Sequence, residues 1–157
     1  MKKFLMVVCA MLVSAAMFAQ QGEKSVGANL KYRLDDPNNI GVGAKFQYGF
    51  TDKIRGEASF NYFLKKDYTS FYDVNINAHY LIPVGSLTVY PLAGVTLQGW
   101  KVEVGGYSAD DSDVGVNVGA GIEYPLNDKL KVNAEFTYKY VKDADSPFIG
   151  LGIAYKF

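Results

Sequence analysis

Few residues in this chain have the chemistry to act on a substrate, and their placement limits each of them. His79 is the only histidine. A histidine serves as a general base when a nucleophile or an orienting carboxylate lies within hydrogen-bond reach. Asp73 and Asn77 share the face of its strand, and Thr88 or Tyr90 can lie across the next hairpin. None of these makes a catalytic pair with it, so His79 reads as a satisfied interior histidine and no catalytic residue is expected. Three acidic clusters, Asp110-Asp111-Ser112-Asp113, Asp35-Asp36 and Asp143-x-Asp145, carry the hard oxygen ligands that divalent cations take. Their spacing matches no calcium-loop motif, so solvated loop charge is the expectation, with no metal and no cofactor. Lys65-Lys66, Lys101 and Lys142 lie near them and suit contact with lipid phosphates. The pairs Gly41-x-Gly43, Gly119-x-Gly121 and Gly150-x-Gly152 precede no helix and so do not read as phosphate-binding loops.

The elements that position these residues follow a leader of different character. Lys2 and Lys3 open the chain, and Phe4 to Ala19 is apolar apart from Ser14. A basic start, a short apolar run and small residues at its end describe a secretory signal peptide over 1–19. Cleavage after Ala19 is preferred to cleavage after Ala16 because the polar run from Gln20 follows it. An uncleaved anchor fits less well, since the apolar run is short for a spanning helix, and so does a lipoprotein built on Cys9, since only Phe4 to Val8 precede that cysteine as an apolar segment. Without Lys2 and Lys3 the mature chain keeps 14 basic against 16 acidic residues. That balance argues against a nucleic-acid partner. Cys9 is the only cysteine and leaves with the leader, so disulfides, thiolate metal sites and cysteine nucleophiles leave with it.

From Lys24 to Phe157 apolar and polar residues alternate with the period of two that marks strands with unlike faces. Eight apolar sets follow one another. Val26 to Leu34, Ile40 to Phe50, Ile54 to Leu64 and Tyr72 to Ile82 form the first half. Leu87 to Leu97, Val114 to Tyr124, Leu130 to Tyr140 and Ile149 to Phe157 form the second. Longer loops are expected at Asp35 to Asn39, Lys66 to Ser70, Lys101 to Ser112 and Lys142 to Pro147. Tight turns are expected at Thr51 to Lys53, Pro83 to Ser86 and Pro125 to Lys129. The expected fold is all-β, an eight-stranded antiparallel up-and-down transmembrane barrel over 20–157.

Alternation leaves open which face is buried. An eight-stranded barrel is only wide enough to be filled by side chains. The apolar set holds too many rings for that space, whereas glycines and polar residues of mixed sign suit a tight, hydrogen-bonded interior. The rings also lie toward strand ends, with Val, Ile and Ala in the middles, as in two aromatic girdles around an apolar band. Inside, charges should pair. A turn centred on Asn127 puts Glu123 opposite Lys131. A turn centred on Asp52 puts Gln47 opposite Glu57, with Lys45 diagonal to it. With Arg55 and Glu135 these side chains are expected to form an interior polar network. Trp100 is expected to cap the mouth or anchor at the interface.

The last strand, Leu151-x-Ile153-x-Tyr155-Lys156-Phe157, resembles the terminal strand of outer-membrane β-barrels, and the whole mature chain resembles their small OmpX-like or OmpA-barrel-like families. The resemblance implies a Gram-negative outer-membrane location among lipid and lipopolysaccharide. It implies that the barrel assembly machinery reads Tyr155 and Phe157, and that the role is envelope integrity or surface contact by a monomer. Some eight-stranded barrels process lipid A with a His and a Ser at the outer rim, but here no Ser follows at His-x-Ser spacing. A soluble periplasmic barrel holding a small apolar ligand, and a lipid-A-modifying enzyme, are the alternatives.

Overall fold

A computed structural model describes residues 2–3, 22–35, 38–66 and 69–157. The leader residues 4–19, with both candidate cleavage sites, and Asp36 lie outside the described residues. Nine strands follow in order: β1 Lys24–Arg33, β2 Ile40–Gly49, β3 Ile54–Lys66, β4 Thr69–Tyr80, β5 Ile82–Val84, β6 Leu87–Val104, β7 Tyr107–Pro125, β8 Leu130–Val141 and β9 Ser146–Lys156. β4 and β5 are one barrel strand broken at Leu81, whose N–H donates to Lys53 O at 2.6 Å. Both pair antiparallel with β6, so eight staves surround the axis. Neighbours in sequence are neighbours in the sheet, and two pairings close it. β1 pairs with β9 from Ser25↔Lys156 to Arg33↔Phe148, and β4 pairs with β6 from Thr69↔Val102 to His79↔Leu92.

The faces are inverted relative to a soluble protein. Val116, Phe60 and Leu151 are 50, 49 and 60% exposed, while Lys139, Asp73 and Asn61 are each 0% exposed. The apolar side chains thus face outward around the whole circumference and the polar ones fill the inside. This overturns the soluble barrel with an apolar cavity.

Strands reach into two of the expected loops. β3 runs to Lys66 and β4 starts at Thr69, while β6 and β7 stay paired up to Val104↔Tyr107. The segment Lys101 to Ser112, read as the longest loop, is therefore a protruding hairpin. Its strands carry the β-branched Val102 and Val104, and its turn is Gly105-Gly106 with φ of 57° and 85°. Two successive positive φ values define the turn that matches strand twist, and Gly-Gly accepts it without strain. Among the described residues, β7 has no second partner strand from Tyr107 to Val114, because β8 begins to pair only at Gly115↔Val141.

Inward glycines make room for the larger side chains across from them. A Cβ on Gly41 would lie 2.6 Å from the Phe63 ring, and one on Gly121 would collide with Tyr90. Phe63 cannot retreat, since it stacks on Phe71 with centroids 4.1 Å apart. Gly41→Val is expected to destabilise the barrel by about 1–3 kcal/mol through overpacking. Gly150→Ala, whose nearest neighbour is Lys31 Cγ at 3.4 Å, is expected to be near neutral. Urea midpoints of the two variants in detergent compare them directly.

Candidate functional site

The interior is organised in three tiers along the axis. Nearest the turns at 51–53 and 126–129, Arg55 Nη1 reaches Glu123 Oε2 at 2.9 Å and Oε1 at 3.2 Å. Lys131 Nζ lies 3.5 Å from Glu123 Oε1 and 3.5 Å from Glu23 Oε1. Gln47 Nε2 donates to Glu57 Oε2 at 2.7 Å, and Ser25 donates to Gln47 at 3.0 Å. Tyr90 crosses the lumen, donating to Glu135 Oε2 at 3.0 Å and lying under the Arg55 guanidinium at 5.1 Å.

The predicted positions are met unevenly. Gln47 does stand opposite Glu57. Glu123, however, stands opposite Asn133, and Lys131 opposite Pro125. The loop closes Leu126 N–H onto Leu130 O, with Asn127 Oδ1 accepting from the N–H groups of Lys129 and Leu130. That puts the centre at Asp128 instead of Asn127, and moving a centre by one slides the register by two. Glu123 and Lys131 still meet, diagonally. Lys45 does not turn to Glu57; its Nζ crosses to Asn133 Oδ1 at 2.6 Å, over the space left by Gly152.

The middle tier centres on Asp73. Its carboxylate accepts from Asn61 at 2.7 Å and Asn75 at 2.6 Å, and it pairs with the Lys139 ammonium. Asn117 extends the web to Asn75 and Asn77 at 3.2 and 3.0 Å. Toward the protruding hairpins the lumen becomes apolar. Phe63, Phe71 and Phe148 form a buried cluster with Trp100 packed against it, so Trp100 caps the mouth from inside. The Arg33 guanidinium and the Lys139 ammonium face the Phe71 and Phe148 rings at 5.6 and 4.7 Å. These three phenylalanines lie out of phase with the apolar alternation, and that is the signal that would have placed them inside.

One trio has metal-ligand chemistry. Glu57, His79 and Glu135 each offer an atom within 4.8 Å of the others. The arginine decides against a metal there. Arg55 Nε and Nη2 lie 3.3 and 3.0 Å from His79 Nδ1, and a guanidinium can only donate. Nδ1 must accept, so the ring proton sits on Nε2, which faces Glu57 Oε1 at 4.0 Å and has no free lone pair for an ion. His79 also stacks on Tyr90 with centroids 4.7 Å apart, and its place against Arg55 is structural. The acidic run Asp110 to Asp113 does not converge either, because on a strand successive side chains, such as those of Asp110 and Asp111, point to opposite faces. Asp110 stands opposite Lys101, and Asp111 accepts from the N–H of Ser112 at 2.8 Å.

A closed eight-stranded sheet with an apolar exterior and a charged, filled interior is an integral β-barrel of the outer membrane. The chain belongs to the outer membrane protein beta-barrel domain family, whose sequence model matches residues 5–157. It is 27% identical over 139 residues to outer membrane protein X of Escherichia coli K12, covering 87% of this chain and 77% of that protein. Among solved structures it is similar to the N-terminal barrel of Pseudomonas aeruginosa OprF, at TM-score 0.70 and 20% identity over 87% of this chain and all of that one. It is also similar to the attachment invasion locus protein Ail of Yersinia pestis, at TM-score 0.63 and 20% identity over 87 and 97% of the two chains.

Breaking a buried pair leaves a naked charge, which costs about 3–5 kcal/mol. Asp73→Ala is therefore expected to lower the urea midpoint sharply, and the double variant Asp73→Ala/Lys139→Met to recover most of the loss. A double variant as unstable as the single one would show that Asp73 acts through its asparagine partners instead.

Proposed function

We propose that this protein is a non-enzymatic outer-membrane component that reinforces the envelope and presents its β6–β7 hairpin for surface contact. The carrying observation is the pairing of a filled lumen with a hairpin that continues past the barrel wall. A lumen packed with hydrogen-bonded side chains and closed by rings leaves no room for solute flow. His79, held by an arginine and a tyrosine, is not poised for proton transfer. The network of Lys45, Gln47, Arg55, Glu57, Glu123, Lys131 and Glu135 then serves as internal scaffolding.

The short turns face the periplasm and the hairpin faces outward, as in barrels of this class. The leader 1–19 is removed after Ala19. Tyr155 and Phe157, exposed on the outer face at the turn end, serve as the signature read by the assembly machinery. The mature barrel acts as a monomer among lipid and lipopolysaccharide.

The test uses a deletion strain complemented with the wild-type chain or with residues 102–109 replaced by a two-residue turn. Both proteins are expected in the outer-membrane fraction, with an unboiled band displaced from the boiled one. The wild type alone is expected to restore attachment to protein-coated surfaces, and both to restore detergent resistance. Equal attachment by the two strains would refute the contact role, and unrestored detergent resistance would refute the envelope role.

A further inference from the structure

On the outer wall, just where the apolar band ends, four strands form a groove of about 600 Å³. Strand register gives its layout. One row across β3, β4, β6 and β7 reads Tyr62, Tyr72, Gly99, Ser112; the next row outward reads Ser70, Lys101, Asp110. The row inward of the tyrosines is Phe60, Val74, Leu97, Val114, which is fully lipid-facing in character. The groove therefore straddles the boundary between hydrocarbon and headgroups.

Gly99 shapes it. A Cβ there would collide with the Tyr72 ring, so the ring lies across β6 where any side chain would lift it. Phe60 stacks on the same ring with centroids 6.0 Å apart and planes 27° from parallel, which holds it in place. Above this platform the polar groups are ion-paired. Glu103 accepts from Lys101 at 3.0 Å and Lys65 at 3.3 Å. The bonds from the lysines hold the Glu103 carboxyl below the usual carboxylate range, and Glu103 in turn raises Lys101. Glu103 and Lys101 are both charged at neutral pH. The outer face of the groove carries two ammonium groups, Lys65 and Lys101, and two carboxylates, Glu103 and Asp110, while Asp111 stands on the inward row with Phe71 and Trp100.

Both ammonium groups are already paired with Glu103, so the groove offers no unpaired cation to a phosphate headgroup. An aromatic face bordered by hydroxyl, amine and carboxylate groups suits an uncharged pyranose, which has one apolar C–H face and a rim of hydroxyls. The volume is that of a small-ligand site. The apolar row beneath gives acyl chains a surface continuous with the platform. We propose that this groove binds the sugar headgroup of a glycolipid in the outer leaflet, its ring on Tyr72 and its hydroxyls against Ser112, Lys101 and Asp110. The proposal rests on the outward orientation of the hairpin end given above.

The test is native mass spectrometry of the full barrel released from nanodiscs of phosphatidylcholine with equal phosphatidylglycerol and digalactosyl diacylglycerol, all of matched chains. The wild type is expected to retain the galactolipid in preference to phosphatidylglycerol. Tyr72→Leu, which keeps the wall apolar, is expected to lower that retention about three- to tenfold, the scale of one aromatic contact. Asp110→Asn, which leaves the platform untouched, is expected to lower it as well. Equal retention of both lipids, or no loss in either variant, overturns the groove, and displacement by free lactose overturns the lipid-linked assignment. A chain that fails to enter the nanodisc at all would instead refute the membrane reading.

Discussion

Hydrocarbon offers no partner to a backbone N–H or C=O, and each unsatisfied group there is severely unfavourable. A sheet can satisfy every one only by having no edge inside the membrane. In this chain the condition is met by two pairings, β1 with β9 and β4 with β6, and the remaining architecture follows from them. Closure of eight strands sets a narrow lumen. Alternation then sends every second side chain into it, and contact with lipid reserves the other face for Val, Ile, Leu and aromatic rings. The large polar side chains can fit only because glycines such as Gly121 and Gly152 give up their volume to Tyr90 and Lys45.

Charge inside the lumen is matched locally. Lys31, Lys45, Arg55, Lys131 and Lys139 lie among Glu57, Asp73, Glu123 and Glu135, with the half-exposed Glu23 at the turn-end mouth and Arg33 at the hairpin end, and each of the five cations has a countercharge or a hydrogen-bonding partner. Removing one member of such a pair is far worse than removing both. The tiers of the lumen differ along the axis. Ion pairs fill the turn end, amides the middle and stacked phenylalanines the hairpin end, where Arg33 and Lys139 lie over the rings. The aromatic seal and the ionic tier are physically separate, so each can be altered without the other.

Strand phase was readable from the chain because lipid and lumen demand opposite residue types, leaving a strict period of two. Register was readable only where the centre of the turn was placed correctly. The turns at 50–53 and 126–129 are closed by the same bonds, but the first is centred on Asp52, which places Gln47 against Glu57, and the second on Asp128, which shifts Glu123 away from Lys131 by two. The Gly105-Gly106 hairpin was hidden because its flanking strands rise above the membrane, where alternation no longer has an apolar face and acidic residues mimic a loop. Phe63, Phe71 and Phe148 were hidden for a related reason: a ring in the lumen offends the pattern and is legible only by counting from its neighbours. Contacts across the lumen, such as Lys45 with Asn133, depend on barrel curvature, which no pairwise register contains.

The unpartnered margin of β7 has a bearing on how many copies a membrane can hold. Exposed strand margins invite pairing with one another, and soluble proteins often blunt them with charge. From Tyr107 to Val114 this margin carries Asp110, Asp111 and Asp113 and no basic residue. Two copies drifting together in the plane of a crowded leaflet would bring like charges to within a strand spacing, at the very place where backbone groups are free to join. Like charges along such a margin oppose its pairing with a second one, and that opposition weakens as salt rises. Lateral crowding, more than barrel stability, is where the composition of that segment would be felt.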